Sequence, residues 1–225
     1  MVLFAVLLLA AFAALTGSVL SGAVTGVDTA IHEWFLGVRD DPLTTGAVVI
    51  THAGGSAVMW VLALAACAGL LWRGRRTDAA LVAGVGAAAA VLVPVAKNLI
   101  GRDRPPLDGR LVTVDSPAFP SGHSTGVAAV IGALAVLCYL RFGHRIAARI
   151  TVVLAAVFVG LVGLSRVYLG VHWATDVLAG WSLGALLVLL GVLIHRRSAR
   201  SVRPGDTVAA DRAASRPAAT TGTAA

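Results

Sequence analysis

The sequence predicts an all-α integral membrane protein, a polytopic bundle of six transmembrane helices. Three observations predict it. Of the 225 residues 58% are hydrophobic and only 13% charged, far from the roughly 25% charged usage of an ordinary soluble domain. Six apolar runs approach the roughly 20 residues that a helix needs to cross a bilayer core. The arginines, finally, cluster in segments between those runs and after the last one.

The runs cover 2–24, 44–72, 79–100, 124–140, 150–164 and 174–194. They are continuous, without the alternating pattern of outer-membrane strands, so helices are expected rather than a barrel. The fifth is short, and its helix is expected to extend at both ends. The first could be a cleaved signal peptide, since Leu20-Ser21-Gly22-Ala23 resembles a cleavage site. No Lys or Arg precedes it, however, and its apolar stretch exceeds a usual signal core, so a retained span is expected. Residues 1–195 form one membrane domain in this reading. Residues 196–225, rich in Ala, Thr, Arg, Pro and Gly without periodicity, form a disordered tail. No internal repeat stands out.

The net charge of +7 would suit a nucleic-acid binder, but its placement suits membrane orientation better. Arg73, Arg75 and Arg76 follow the second run, Arg141, Arg145 and Arg149 the fourth, and Arg196, Arg197, Arg200 and Arg203 the sixth. With six spans these places share one face, which the positive-inside rule makes cytoplasmic, with both termini. Segments 25–43, 101–122 and 165–173 then lie outside. Cys67 and Cys138 each sit in an apolar run without ligand spacing and are read as packing residues.

Three outer segments hold polar residues that a plain bundle does not need: AKNLIGRDRPP from Ala96, FPSGHST from Phe119 and SRVYLGVHWATD from Ser165. Lys97, the only lysine, stands one turn inside an apolar helix end, where a charge needs a partner or an aqueous cavity. Arg104 lies two turns further on and shares its face if the helix persists to Pro105. Pro120-Ser121-Gly122-His123 has the composition of a helix start. The serine can cap, the glycine admits a close ligand, and the first amides form an anion site. His172 and Asp176 are one turn apart at the head of the last run, so the carboxylate can hold one ring nitrogen and leave the other free. Cations, a helix N-terminus and two histidines are what phosphoryl transfer requires. No carboxylate cluster, HExxH pattern or cysteine set indicates a metal, and no cofactor is expected.

These segments resemble the three-part signature of the type 2 phosphatidic acid phosphatase superfamily. Lys97, Arg104 and Pro105 match its first part, Pro120 to His123 its second, and Ser165, Arg166, His172 and Asp176 its third. The likeness covers roughly 44–194. It implies a metal-independent phosphatase of a lipid phosphate or diphosphate. By resemblance His172 is the nucleophile, Asp176 orients it, and His123 protonates the leaving oxygen and then activates water. Lys97, Arg104, Arg166, Ser121 and Gly122 would hold the phosphoryl oxygens.

The remaining polar residues are given no chemistry. His32 and His52 could border the site but lack ligand spacing, and His144 and His195 sit among cytoplasmic arginines. Residues 32–35 are expected in a short interfacial helix. Trp173 and Trp181 are read as packing or interface residues, and Arg102 and Asp103 as solvated. A transporter would carry its charges nearer mid-bilayer. A non-catalytic lipid binder would lack some of the attacking residues. An outward-facing site weakly favours a polyprenyl diphosphate such as undecaprenyl diphosphate over phosphatidate, phosphatidylglycerophosphate or diacylglycerol diphosphate. The partners expected are that substrate and membrane lipids, with no nucleic acid, and the oligomeric state is open.

The arginine distribution makes a prediction of its own. In sealed cells, with Cys67 and Cys138 replaced, a cysteine at Asp108 should react with an impermeant thiol reagent and one at Gly74 should not. The reverse labelling would put the polar segments in the cytoplasm.

Overall fold

The computed structural model describes residues 1–201, with side chains through residue 197. Its helices run α1 Val2–Leu20, α2 Thr25–Gly37, α3 Asp41–Ala53, α4 Ser56–Trp72, α5 Arg76–Ile100, α6 Gly122–Phe142, α7 Ile146–Tyr168 and α8 Ala174–Ser201, with a 3₁₀ turn at Leu107–Gly109. Helices α1, α5, α6, α7 and α8 are each long and apolar enough to cross a membrane, and α3 with α4 can supply a sixth crossing, bent by 42°. As expected, α7 extends the short fifth run at both ends. Helix α8 continues to Ser201, and 202–225, most of the expected tail, lie outside the described residues.

Two breaks depart from the sequence reading. The second run is one apolar stretch to a hydropathy window, yet it divides at Gly54-Gly55, a pair that punctuates helices. Gly54 meets α7 there: an added Cβ would stand 2.5 Å from Val162. Helix α3 starts cleanly because Asp40 Oδ1 accepts from the Leu43 amide at 2.7 Å, with Pro42 in the first turn. The second break is at Gly101, whose φ of 62° is left-handed and ends α5. The helix therefore does not persist to Pro105, and Arg104 reaches Lys97 from a loop rather than from a shared helix face.

Helix α6 is central, packing on α4, α5, α7 and α8. Val82, Val85, Val127, Ala129, Val130 and Val162 belong to its buried core. Transmembrane helices gain little from the hydrophobic effect against lipid, so small residues that let backbones approach decide which pairs pack closely. Gly180 and Gly184 do this on α8. A Cβ at Gly180 would stand 2.8 Å from the Ser121 carbonyl oxygen, and one at Gly184 would stand 2.6 Å from Ala128 Cβ. The N-termini of α6 and α8 thus meet at one end of the bundle.

That end is closed by α2 and the 101–121 loop. Helix α2 is the short helix expected around residues 32–35. It turns Asp28 and His32 inward and leaves Trp34 exposed. Arg39 fastens the cap by donating to the carbonyls of Gly109 (2.9 Å) and Tyr168 (2.6 Å). The arginines at 73–76, 141–149 and 196–197 lie at the opposite helix ends.

Gly180→Ala tests the α6–α8 contact. The new methyl faces backbone, which cannot swing away, so the variant should lose about 1–3 kcal/mol by overpacking. A fall in thermal midpoint of the detergent-solubilised protein would show it, whereas Gly160→Ala, with nothing within 4 Å of the added Cβ, should leave the midpoint unchanged.

Candidate active site

The three polar segments converge at the capped end. Helix α5 brings Lys97, the loop after it brings Arg104, the head of α6 brings Ser121 to His123, and the α7–α8 junction brings Arg166, His172 and Asp176. The Ser121 amide donates to the Asp176 backbone carbonyl at 3.0 Å, so the second and third segments are joined through main chain.

His172 is 2% exposed and Asp176 fully buried. His172 Nδ1 lies 3.2 Å from Asp176 Oδ2. Burial, followed by Arg104, Arg166 and Lys97, holds the imidazole well below its ordinary value of 6.5. The ring is therefore neutral. With Nδ1–H given to the carboxylate, Nε2 keeps its lone pair. Arg104 Nη1 stands 3.1 Å from that nitrogen.

Each neighbouring cation is held by neutral acceptors. Lys97 Nζ donates to the carbonyls of Pro117 and Ala118. Arg104 donates to Ser116 O at 2.6 Å, to Pro117 O at 3.3 Å and to Val171 O. Arg166 is 3% exposed, donates to Thr51 Oγ1 at 2.7 Å, and keeps a buried Nε without a hydrogen-bond partner among the described residues. That combination is an unspent donor in a dry place, which an anionic oxygen would satisfy. Ser121 caps α6, its Oγ accepting from the Ser124 amide at 3.4 Å and the Ser124 hydroxyl at 3.0 Å. The first-turn amides of Gly122 and His123 are not used by the helix. A Cβ on Gly122 would lie 4.0 Å from Lys97 Cε, so lysine and helix head are adjacent. His123 is half-buried and lies close enough to Arg166 and Arg104 to feel their charges.

The structure overturns one assignment and adds three residues. Arg102, expected to be solvated, has a side chain only 13% exposed. Its Nη1 bonds Asp176 Oδ1 at 2.5 Å and its Nη2 bonds Asp28 Oδ2 at 2.6 Å. Asp28 on α2, Thr175 beside Asp176, and Thr51 behind Arg166 were not singled out by the sequence reading. Asp28 is an acid amid apolar residues on an amphipathic stretch; that is its only signal, and it names no partner. Asp103 is exposed, as expected, and its carbonyl accepts from Trp173 Nε1 at 2.9 Å. Trp181 packs on Gly163 and donates to Val159 O.

The other histidines divide. His52 is exposed and its Nδ1 lies 2.7 Å from Val48 O; His32 is buried edge-on to Trp173, with ring centroids 5.6 Å apart. His195 Nε2 lies 2.6 Å from Asp78 at the far end of the bundle. Among the described residues no group of three or more His, Cys, Asp or Glu side chains is arranged to hold a metal ion. An apolar cavity of about 240 Å³, lined by Met59, Trp60, Ala90, Val93 and Pro94, opens between α4, α5 and α6 and reaches Gly122.

The chain is similar to known proteins in sequence and in fold. The model of the PAP2 superfamily matches residues 78–200. Phosphatidylglycerophosphatase B of Bacillus subtilis is 36% identical over 183 residues, which is 80% of this chain and 88% of that protein. Decaprenylphosphoryl-5-phosphoribose phosphatase of Mycobacterium tuberculosis is 35% identical over 140 residues, covering 60% and 71%. The crystal structure of a transmembrane PAP2-type phosphatidylglycerolphosphate phosphatase from Bacillus subtilis superposes with a TM-score of 0.79 at 32% identity, covering 89% of this chain and 98% of that one.

Proposed function

The chain belongs to the PAP2 superfamily of membrane lipid phosphatases, and from that premise we propose that it hydrolyses phosphatidylglycerophosphate-like lipid monophosphates through a phosphohistidine formed on His172. The observation that carries this reading is a buried, carboxylate-held imidazole whose Nε2 faces Arg104 at 3.1 Å, beside three cations that have no carboxylate partner among the described residues. His172 Nε2 attacks phosphorus, and the P–O bond to the lipid breaks with its electron pair staying on the lipid oxygen. His123 gives that oxygen a proton. His123 then takes a proton from water as the hydroxide displaces Nε2, releasing inorganic phosphate and restoring both histidines.

Asp176 keeps Nδ1–H in place while the ring gains positive character. Lys97, Arg104, Arg166, the Ser121 hydroxyl and the Gly122 and His123 amides meet the charge on the equatorial oxygens. Because protein groups meet it, no metal ion is required in this reading. The apolar cavity that reaches Gly122 gives a lipid chain an approach within the membrane plane, and the site end faces out of the cell by the arginine distribution. The substrate follows the relative that matches most of both chains. A polyprenyl-linked phosphate or diphosphate is the second reading, favoured by the similarity to the decaprenyl-lipid phosphatase and by the outward orientation.

Phosphate release by the purified protein from a panel of these lipids, with EDTA present, is the test. Release should survive EDTA, and orthovanadate should inhibit competitively. His172→Ala should lower kcat by about 10⁴-fold or more and Asp176→Asn by roughly 10²-fold, since losing the orienting group costs less than losing the nucleophile. Near-normal turnover in His172→Ala would remove the phosphohistidine, and activity that needs added Mg²⁺ after EDTA would remove metal independence.

Arg166→Ala should cost on the order of 10²-fold in kcat/KM and weaken vanadate inhibition in step. Arg166→Lys should recover only part, because a lysine lacks the planar fork. Equal vanadate affinity in native protein and Arg166→Ala would take Arg166 off the phosphoryl oxygens.

A further inference from the structure

Asp28 is 1% exposed, on a helix that precedes the 78–200 segment matched by the family model. Its carboxylate is fully engaged. Oδ1 accepts from the Thr175 amide at 3.0 Å, and Oδ2 accepts from the Thr175 hydroxyl at 2.5 Å and from Arg102 Nη2 at 2.6 Å. Arg102 Nη1 in turn donates to Thr175 Oγ1 at 2.7 Å and to Asp176 Oδ1. The remaining oxygen of Asp176 faces His172 Nδ1 and also accepts from the Trp173 amide at 2.9 Å. An unbroken chain of charge-assisted hydrogen bonds therefore runs from α2 to the imidazole.

We infer that Asp28 and Arg102 are positioning residues that set the orientation and basicity of Asp176, and through it of His172; this rests on the phosphatase reading above. Three physical steps lead there. A buried carboxylate is tolerated when its lone pairs are filled, and Arg102 fills the oxygen that His172 does not use. An arginine bound to Asp176 alone would draw charge from that carboxylate and weaken its hold on Nδ1–H. Asp28 shares the arginine's charge and so returns that charge to Asp176. Asp28 also receives a first-turn amide of α8 while Asp176 reaches back to the Trp173 amide, so the two carboxylates together cap the helix that carries the pair. Stacking fixes the guanidinium further, with Arg102 Cζ 5.7 Å from the Trp173 ring centroid.

Neither residue is placed against the phosphoryl group, so substrate affinity and turnover should separate. Steady-state phosphate release from the lipid that the native protein hydrolyses best is measured for native, Asp28→Asn, Arg102→Lys, Asp176→Asn and the Asp28→Asn/Asp176→Asn pair, each normalised to folded protein by gel filtration. Asp28→Asn should lower kcat roughly tenfold with KM within about twofold. Arg102→Lys, which keeps the charge but cannot bridge two carboxylates, should fall between native and Asp28→Asn. In the Asp176→Asn background the Asp28 change should cost less than about twofold, since its route to His172 is already cut. A tenfold loss that persists in that background, an effect on KM alone, or a native-like kcat in Asp28→Asn would overturn the inference. If Asp28→Asn does not accumulate as folded protein, Arg102→Lys decides it alone: lower kcat at constant KM supports the role, and native kcat or a raised KM overturns it. Absence of phosphate release from native protein would overturn both this inference and the phosphatase reading, whereas native activity with unaffected variants would overturn only this one.

Discussion

Asp176 is the interaction on which the site is built. A carboxylate with no exposed surface at the edge of an apolar bundle must find a partner for every lone pair, because its isolated charge would cost several kcal/mol. It finds them in His172, the Trp173 amide and Arg102. Its own main-chain carbonyl takes the Ser121 amide. Satisfying one buried acid thereby draws together the end of α5, the head of α6 and the α7–α8 junction. The imidazole is oriented by the same bonds that make the fold tolerable there.

The helices that meet at this point are held close by the absence of side chains. Gly180 and Gly184 let α8 lie against the first turn of α6, where any Cβ would strike backbone or Ala128. Two helix N-termini thus open toward one volume, each with amides and a partial positive charge available there. On α8 that charge is taken up by Asp28 and Asp176. On α6 the serine cap uses the Ser124 amide, and the amides of Gly122 and His123 precede the first hydrogen bond within the helix. The two ends differ in charge, because one is filled by carboxylates from within the protein and the other is capped by a neutral hydroxyl.

Much of this was legible in the sequence. Six apolar runs gave the spans, because bilayer thickness fixes helix length, and the four-residue spacing anticipated the His172–Asp176 pair, although His172 lies in the junction before α8 and not on the helix itself. The Gly54-Gly55 break was missed because hydropathy averages over a pair whose effect is conformational. The Lys97–Arg104 face was misjudged for a related reason: a single left-handed glycine at 101 stops α5, and helical periodicity has no meaning beyond it. Arg102 looked solvated because a charge two residues from the signature arginine has no periodicity to place it. Its burial depends on Asp28, far away in sequence, and a long-range ion pair leaves no local mark in one sequence.

Pairing sorts the cations of the site. Lys97, Arg104 and Arg166 carry no carboxylate partner among the described residues; carbonyls, the Ser116 and Thr51 hydroxyls and the His172 ring hold them instead. Neutral acceptors fix a guanidinium in space while leaving its charge uncompensated, which suits a group meant to receive an anion. Arg102, only two residues from Arg104, is bridged between two buried carboxylates, and its charge is spent inside the protein. Under the proposed reading, two arginines of one loop are thus given different tasks by their acceptors: Arg104 keeps its positive potential for the phosphoryl oxygens, and Arg102 holds the carboxylate that orients His172.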